Sequence, residues 1–311
     1  MRKGLIFICF FAFLLVIGLI IQTAYGQGQK EQNKVKSYTS AQVARGKYLA
    51  LNVSLCLGCH TPSLPDGLRD KNKSFAGGRQ FLSGKLWSPN ITMDEATGIG
   101  KWTDKQIIEA IRNGIDDEGK PLLPNMPYYV FANMKKKDAL TIIVYLRTEV
   151  KPIRNEIPER AESIVPASPS PLLNYAQLPG TGKGKYLVTG VGLCSECHTV
   201  RIQEPGKPSD LARLDLAKYL AGGREFNPKG YKSFSANITS DNTGIALWKD
   251  KQIKAAIRDG KDIGGGQLCV PMPKFSELTN ADLNDIVKYL RKVPAINNIP
   301  PECQILNKPT Q

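Results

Sequence analysis

The sequence predicts an all-α protein: two tandem copies of one helical domain, with long loops. Three observations predict it. The chain has 311 residues, enough for about two domains. One set of short motifs occurs twice, at offsets of 138 to 147 residues. Apolar residues recur at helical spacing, and no run alternates with period two, so no sheet is expected.

The first element is the N-terminal segment. Arg2 and Lys3 precede an uninterrupted apolar run from Leu5 to Ile21, followed by small residues at Ala24 and Gly26. A basic flank, an apolar run and a small-x-small site make an export signal, with cleavage expected after Gly26. The run of 17 residues also approaches the length of a membrane helix. Residues 1–26 are therefore read as a signal peptide or an N-terminal membrane anchor, and the balance leans slightly to cleavage. In both readings the rest of the chain is exported, soluble in the periplasm or anchored to the outer face of the cytoplasmic membrane. Cys9 lies inside the run without the small neighbours of a lipidation site.

The first copy is expected over residues 38–150. A helix from about Ser40 to Leu51 leads into Cys56-Leu57-Gly58-Cys59-His60. A middle helix follows Trp102: Thr103 caps it, Gln106 completes a capping box and Gly114 ends it. A last helix spans about Lys137 to Thr148, with Leu140, Ile143, Val144 and Leu146 apolar. Residues 151–180 then carry six prolines: Pro152, Pro158, Pro166, Pro169, Pro171 and Pro179. That density forbids a helix and predicts an extended connector.

The second copy is expected over residues 181–303. Gly46-Lys47-Tyr48-Leu49 recurs as Gly184-Lys185-Tyr186-Leu187, and the first Cys-x-x-Cys-His as Cys194-Ser195-Glu196-Cys197-His198. Ala76-Gly77-Gly78-Arg79 recurs as Ala221-Gly222-Gly223-Arg224, Asn90-Ile91-Thr92 as Asn237-Ile238-Thr239, Trp102 as Trp248, and Met126-Pro127 as Met272-Pro273. The offset widens between the cysteine motif and the glycine pair, so an insertion is expected around residues 201–218. Thr279 caps a last helix bearing Leu283, Ile286, Val287 and Leu290 on one face.

Cys-x-x-Cys-His is the attachment sequence of c-type haem. Two thiols add across the vinyl groups of one porphyrin, and the adjacent histidine is held beneath the iron. A zinc site needs four ligands per ion, and a redox disulfide does not need the histidine. Two such motifs at matching places in an exported repeat point to two haem c groups, carried by Cys56, Cys59, Cys194 and Cys197. His60 and His198 are the only histidines, so neither iron can take a second one. Methionine is the usual alternative. Of the five methionines only Met126 and Met272 correspond between the copies; Met93 aligns with Ser240 and Met134 with Asn280. The expected axial sets are His60 with Met126 and His198 with Met272. A lone methionine usually fills core, but recurrence in a proline-bounded loop points the other way here.

Each copy thus resembles a class I c-type cytochrome domain. The stretch from Ser88-Pro89-Asn90-Ile91-Thr92 through Thr97-Gly98-Ile99-Gly100-Lys101-Trp102 to Met126-Pro127-Tyr128 is similar to the cytochrome c subunits of membrane-bound dehydrogenases for alcohols, gluconate and related substrates. The three-haem members of that group have one more attachment motif than this chain. The resemblance implies that the first and last helices cross through a glycine and an aromatic residue, at Gly46 with Tyr145 and Gly184 with Tyr289. It implies a carrier rather than an enzyme, whose partners are a donor dehydrogenase and an acceptor cytochrome or oxidase of the respiratory chain. Arg79, Arg224, Trp102 and Trp248 are read as propionate partners or as plain structural positions.

Seven cysteines less the four in the motifs and Cys9 leave Cys269 and Cys303, an even pair in an oxidising compartment and a candidate disulfide. The rival reading is that Cys269 ligates the second iron of an enzyme oxidising a small sulfur compound. A two-haem peroxidase would need a further histidine, and a gas sensor an output module; neither is in the sequence. The formal charge of +14 suits acidic partners or anionic lipid, but the basic residues are scattered and no nucleic-acid motif accompanies them.

Overall fold

A computed structural model describes residues 37–161, 172–202, 213–228 and 230–306. The export segment with Cys9, three of the connector prolines (Pro166, Pro169, Pro171) and residues 203–212 of the expected insertion lie outside the described residues. Among the described residues no helix is long and apolar enough to cross a membrane.

Helices form where the periodicity placed them. In the first repeat α1 (Ser40–Tyr48) widens into a π-type turn over Leu49–Val53, and α2 (Cys56–Cys59) is the single turn of the cysteine motif. α3 (Asp104–Asn113) starts on the expected capping box of Thr103 and Gln106 and ends at Gly114, whose φ of +67° suits a residue without a side chain. α4 (Tyr128–Phe131) is one buried turn, and α5 (Lys136–Thr148) is the last helix. The second repeat supplies α6 (Gly182–Tyr186) with its own π-type turn (Leu187–Val191), α7 (Cys194–His198), α8 (Asp250–Asp259) and α9 (Asn280–Leu290). Thr279 caps α9 through the backbone N–H of Asp282 at 3.1 Å. No helix of the second repeat matches α4 among the described residues.

The crossing of first and last helices is set by glycine. A Cβ at Gly46 would lie 1.8 Å from the Thr141 carbonyl oxygen, and one at Gly184 would lie 2.0 Å from that of Asp285. Tyr145 and Tyr289 flank these contacts. Only a residue without a side chain lets the backbones approach so closely.

The expectation of no sheet is corrected. β1 (Gln80–Phe81) pairs antiparallel with β2 (Leu86–Trp87), and β3 (Glu225–Phe226), β4 (Tyr231–Phe234) and β5 (Gln304–Ile305) form a second small sheet. Most of these strands are two residues long, too short for alternation to register. The β1–β2 turn and the returning C-terminal tail create them.

The residues just after α5 are extended, as their prolines dictate, but they are also pinned to the first repeat. Asn90 Nδ2 donates to the Ile153 carbonyl (2.8 Å), Asn155 Nδ2 to the Ala76 carbonyl (2.9 Å), and the Ala161 N–H to the Lys85 carbonyl (2.9 Å). The same strap recurs after α9: Asn237 Nδ2 donates to the Ile296 carbonyl and Asn298 Nδ2 to the Ala221 carbonyl, each at 2.8 Å.

From Ser40 onward the two repeats make one compact unit. They meet through a matched pair of contacts. Tyr48 Oη donates to Asp282 Oδ2 (2.5 Å) at the start of α9, and Tyr186 Oη donates to Asp138 Oδ2 (2.6 Å) at the start of α5. Tyr48 and Tyr186 are repeat equivalents, as are Asp138 and Asp282, so the interface has approximate two-fold symmetry.

Candidate haem-binding sites

One helical turn places the i and i+3 thiols of each motif on one face, with the histidine next in line. Cys56, Cys59, Cys194 and Cys197 are all partly buried and none is in a disulfide. Burial pushes the Cys56 and Cys194 thiols up to about 12, with Cys59 and Cys197 adding to the effect. The thiols are therefore neutral at pH 7.

Both histidines are buried, and each spends one ring nitrogen on a backbone carbonyl. His60 Nδ1 bonds the Pro89 carbonyl at 2.9 Å, and His198 Nδ1 bonds that of Ala236 at 2.7 Å. Only an Nδ1–H can donate to a carbonyl, which leaves the Nε2 lone pair for a metal. Burial lowers the pKa of both imidazoles more than this bond raises it, so both are neutral at pH 7. The first glycine of each recurring pair holds the histidine's own carbonyl and packs against the backbone of its acceptor. The N–H of Gly77 donates to the His60 carbonyl and that of Gly222 to the His198 carbonyl, each at 2.8 Å. A Cβ at Gly77 would lie 2.5 Å from the Pro89 carbonyl carbon, and one at Gly222 would lie 2.4 Å from that of Ala236.

The arginine after each glycine pair clamps the cysteine turn. Arg79 Nη1 donates to the Gly58 carbonyl (2.7 Å), and Arg224 Nη1 to the Glu196 carbonyl (2.6 Å). The residues between the two cysteines are thus gripped in the same way in both repeats. The backbone at each tryptophan is also gripped: the Trp102 carbonyl accepts from Arg147 Nη2 (2.7 Å) and the Trp248 carbonyl from Arg291 Nη2, tying each last helix to the loop before the middle helix.

The methionines separate by environment. Met134 is fully buried in the core, and the Met93 sulfur accepts from Arg147 Nη1 at 3.4 Å. Met126 and Met272 are each partly buried in loops between the middle and last helices. Beyond Met126 the chain enters α4, where Tyr128, Tyr129, Val130 and Phe131 are all buried. Beyond Met272 it runs through exposed Lys274, Ser276 and Glu277. Cys269 is joined to Cys303, their Cα atoms 6.3 Å apart.

The second motif lies against the first repeat where the two repeats meet. Burial raises the Cys197 thiol to about 11, and Cys59 of the other motif contributes to that rise. Tyr129, just beyond the Met126 loop, donates its hydroxyl to Glu196 inside the second motif. Arg201 bonds both Tyr129 Oη (2.8 Å) and Glu196. Burial works to raise the Glu196 carboxyl, but Arg201 and Arg224 outweigh it and hold the group below the ordinary carboxylate range. The recurrence of Ala-Gly-Gly-Arg was a sequence signal for the arginine clamp. The Tyr129–Glu196 bond had none, because Tyr129 aligns with Phe275 and Glu196 with Gly58.

Among the described residues no three His, Cys, Asp or Glu side chains gather as a metal cluster, so a zinc site has no donor set here. Two thiols and an adjacent imidazole with a free Nε2, in each repeat, are the donors that covalent attachment of haem c needs.

Several known proteins resemble this chain. Residues 183–294 match the cytochrome c family model. The chain is 31% identical over 285 residues to the cytochrome c subunit of a quinone-type alcohol dehydrogenase from Komagataeibacter europaeus, covering 83% of this chain and 57% of that protein. It is 31% identical over 279 residues to the fructose dehydrogenase cytochrome subunit of Gluconobacter japonicus, covering 81% and 53%. A diheme cytochrome c-type protein of Cereibacter sphaeroides is 29% identical over 259 residues, covering 78% and 82%. The chain thus spans little more than half the length of the dehydrogenase subunits and most of the diheme protein.

Proposed function

We propose that this chain, whose residues 183–294 match the cytochrome c family model, is a c-type cytochrome: a two-haem electron carrier with His60/Met126 and His198/Met272 ligation. It takes electrons from a dehydrogenase and passes them towards an acceptor cytochrome or oxidase of the respiratory chain, outside the cytoplasm. The matched environment of the two histidines carries this reading: each is buried, adjacent to two thiols, and oriented by a carbonyl on Nδ1. Each haem, when bound, supplies an iron that takes up and gives up one electron. The chain's own residues do the rest. The cysteine pairs would hold the porphyrin, the Pro89 and Ala236 carbonyls would aim the imidazoles, and Met126 and Met272 would supply the second ligands. With both ligands coming from the chain, the iron would have no position left for a substrate, which suits transfer without catalysis.

The partner assignment is supported by the names of the relatives, and the location by the N-terminal export pattern and the joined Cys269 and Cys303. The sulfur-oxidising alternative loses its ligand, since Cys269 in a disulfide has no thiolate to offer.

The deciding experiment is spectroscopy of the purified full chain. We expect two c-type haems per chain by pyridine haemochrome, low-spin in both oxidation states, with the methionine-to-ferric-iron charge-transfer band. Met126→Ala should remove one share of that band. A high-spin haem in the wild-type protein, or fewer than two haems, would sink the proposal.

A further inference from the structure

The two methionine loops are alike in sequence but anchored differently. The Met126 loop leads directly into α4, where four consecutive residues are buried and the Tyr128 N–H bonds the Met126 carbonyl at 2.7 Å. That packing holds the thioether in place without a crosslink. No such turn follows Met272. Its loop is tied at its ends, by the Leu268 N–H to the Gly260 carbonyl (2.8 Å) and the Phe275 N–H to the Ile257 carbonyl (3.0 Å), while Val270, Pro271 and Lys274 are exposed. Cys269 stands three residues before Met272, and its partner Cys303 directly precedes β5. β5 in turn pairs with β4, and the Leu306 N–H bonds the Gly230 carbonyl at 2.9 Å. The first repeat has no matching cysteine and, among the described residues, no matching third strand.

We propose that the Cys269–Cys303 disulfide is the positioning device for Met272, doing for the second iron what the buried α4 does for the first. The proposal rests on the reading of Met272 as an axial ligand. An iron–thioether bond is weak, so its occupancy depends on how closely the loop is confined near the metal. A crosslink to a sheet confines it by shrinking the set of conformations in which the sulfur is away from the iron. Ligation of the second iron by Met272 is then conditional on an oxidised disulfide, while ligation of the first by Met126 is not. Because Cys303 is exposed, a reductant can reach the crosslink.

The test uses the full-length holoprotein in the ferric state, reading the methionine charge-transfer band and a two-step potentiometric titration. In Cys269→Ser/Cys303→Ser we expect two covalent haems, loss of about half the band and a fall in one potential only. Met272→Ala should give the same loss. As a second route that needs no substitution, wild-type protein is treated with a phosphine reductant, alkylated, and its haems reoxidised with ferricyanide; the same half of the band should disappear. A full band in both the serine variant and the alkylated protein, with Met272→Ala losing half, would overturn the disulfide's role and leave the ligand assignment standing. A full band in Met272→Ala would bring down the ligand assignment and this proposal with it.

Discussion

His60 and His198 show how much of the site is decided by a single contact. Each imidazole would be free to rotate or to take either tautomer were Nδ1 not held by the Pro89 or Ala236 carbonyl. Arg79 and Arg224 act one step further out, on the carbonyls between the paired cysteines. Their environments differ, because Arg224 also neutralises the buried Glu196 carboxylate at 2.7 Å while Arg79 faces Gly58. Arg79→Leu should therefore keep both covalent haems and lower stability by about 1–2 kcal/mol, the worth of a hydrogen bond from a charged donor. Arg224→Leu should cost more, about 3 kcal/mol, because it strips a partner from a buried charge. Urea unfolding of the two holoproteins, followed by far-UV circular dichroism, gives both numbers; equal losses would mean that Glu196 does not depend on Arg224.

Among the elements, the crossings of α1 with α5 and of α6 with α9 are the tightest points of the fold. At 1.8 Å from the Thr141 carbonyl, a methyl group at Gly46 cannot be accommodated by a rotamer change, since the obstacle is backbone. Gly46→Ala should force the helices apart and cost about 4 kcal/mol or more, in the range reserved for severe steric faults. By contrast Gly119→Ala meets nothing within 4 Å but has a φ of +82°, so it should cost only the strain of that backbone, about 1 kcal/mol. Thermal melts of the two variants would rank them, and a Gly46→Ala melt close to wild type would refute the crossing argument. Helix boundaries were legible here because caps and apolar stripes are local. The short strands were not, because they exist only where distant segments happen to meet.

For the whole molecule the question is what keeps the two repeats together. Asp138 accepts from Tyr186 of the other repeat and from Arg45. Burial works to raise its carboxyl, but these bonds outweigh it and the folded pKa is lowered. A lowered carboxylate contributes stability that is fully present above its unfolded value of about 3.9 and is lost as pH falls through its folded value. Acidification below about pH 4 should therefore loosen this contact, and Asp138→Asn should remove that part of the acid dependence. Denaturant unfolding of wild type and variant between neutral and acid pH tests this; parallel curves would show that the group does not couple the repeats to pH. Tyr48, pushed up to about 12 by burial and by its bond to Asp282, works in the opposite sense. Its contribution is present below pH 10 and is lost as pH rises towards 12.

The sequence by itself singled out the candidate donors: two Cys-x-x-Cys-His turns, two histidines with no others to compete, and two methionines that recur in the repeat. It also determined the helices and their order. Attachment chemistry requires neighbouring residues at fixed spacing, and helices require local periodicity, so both are written along the chain. The tertiary structure alone decided which carbonyls orient the histidines, what the recurring arginines grip, that Tyr129 meets Glu196 across the repeats, and that one methionine loop rests on a buried turn while the other hangs on a disulfide. Those contacts join residues 20 to more than 60 positions apart, or pair positions that the repeat does not match. They depend on the path of the chain in space, which no local spacing encodes.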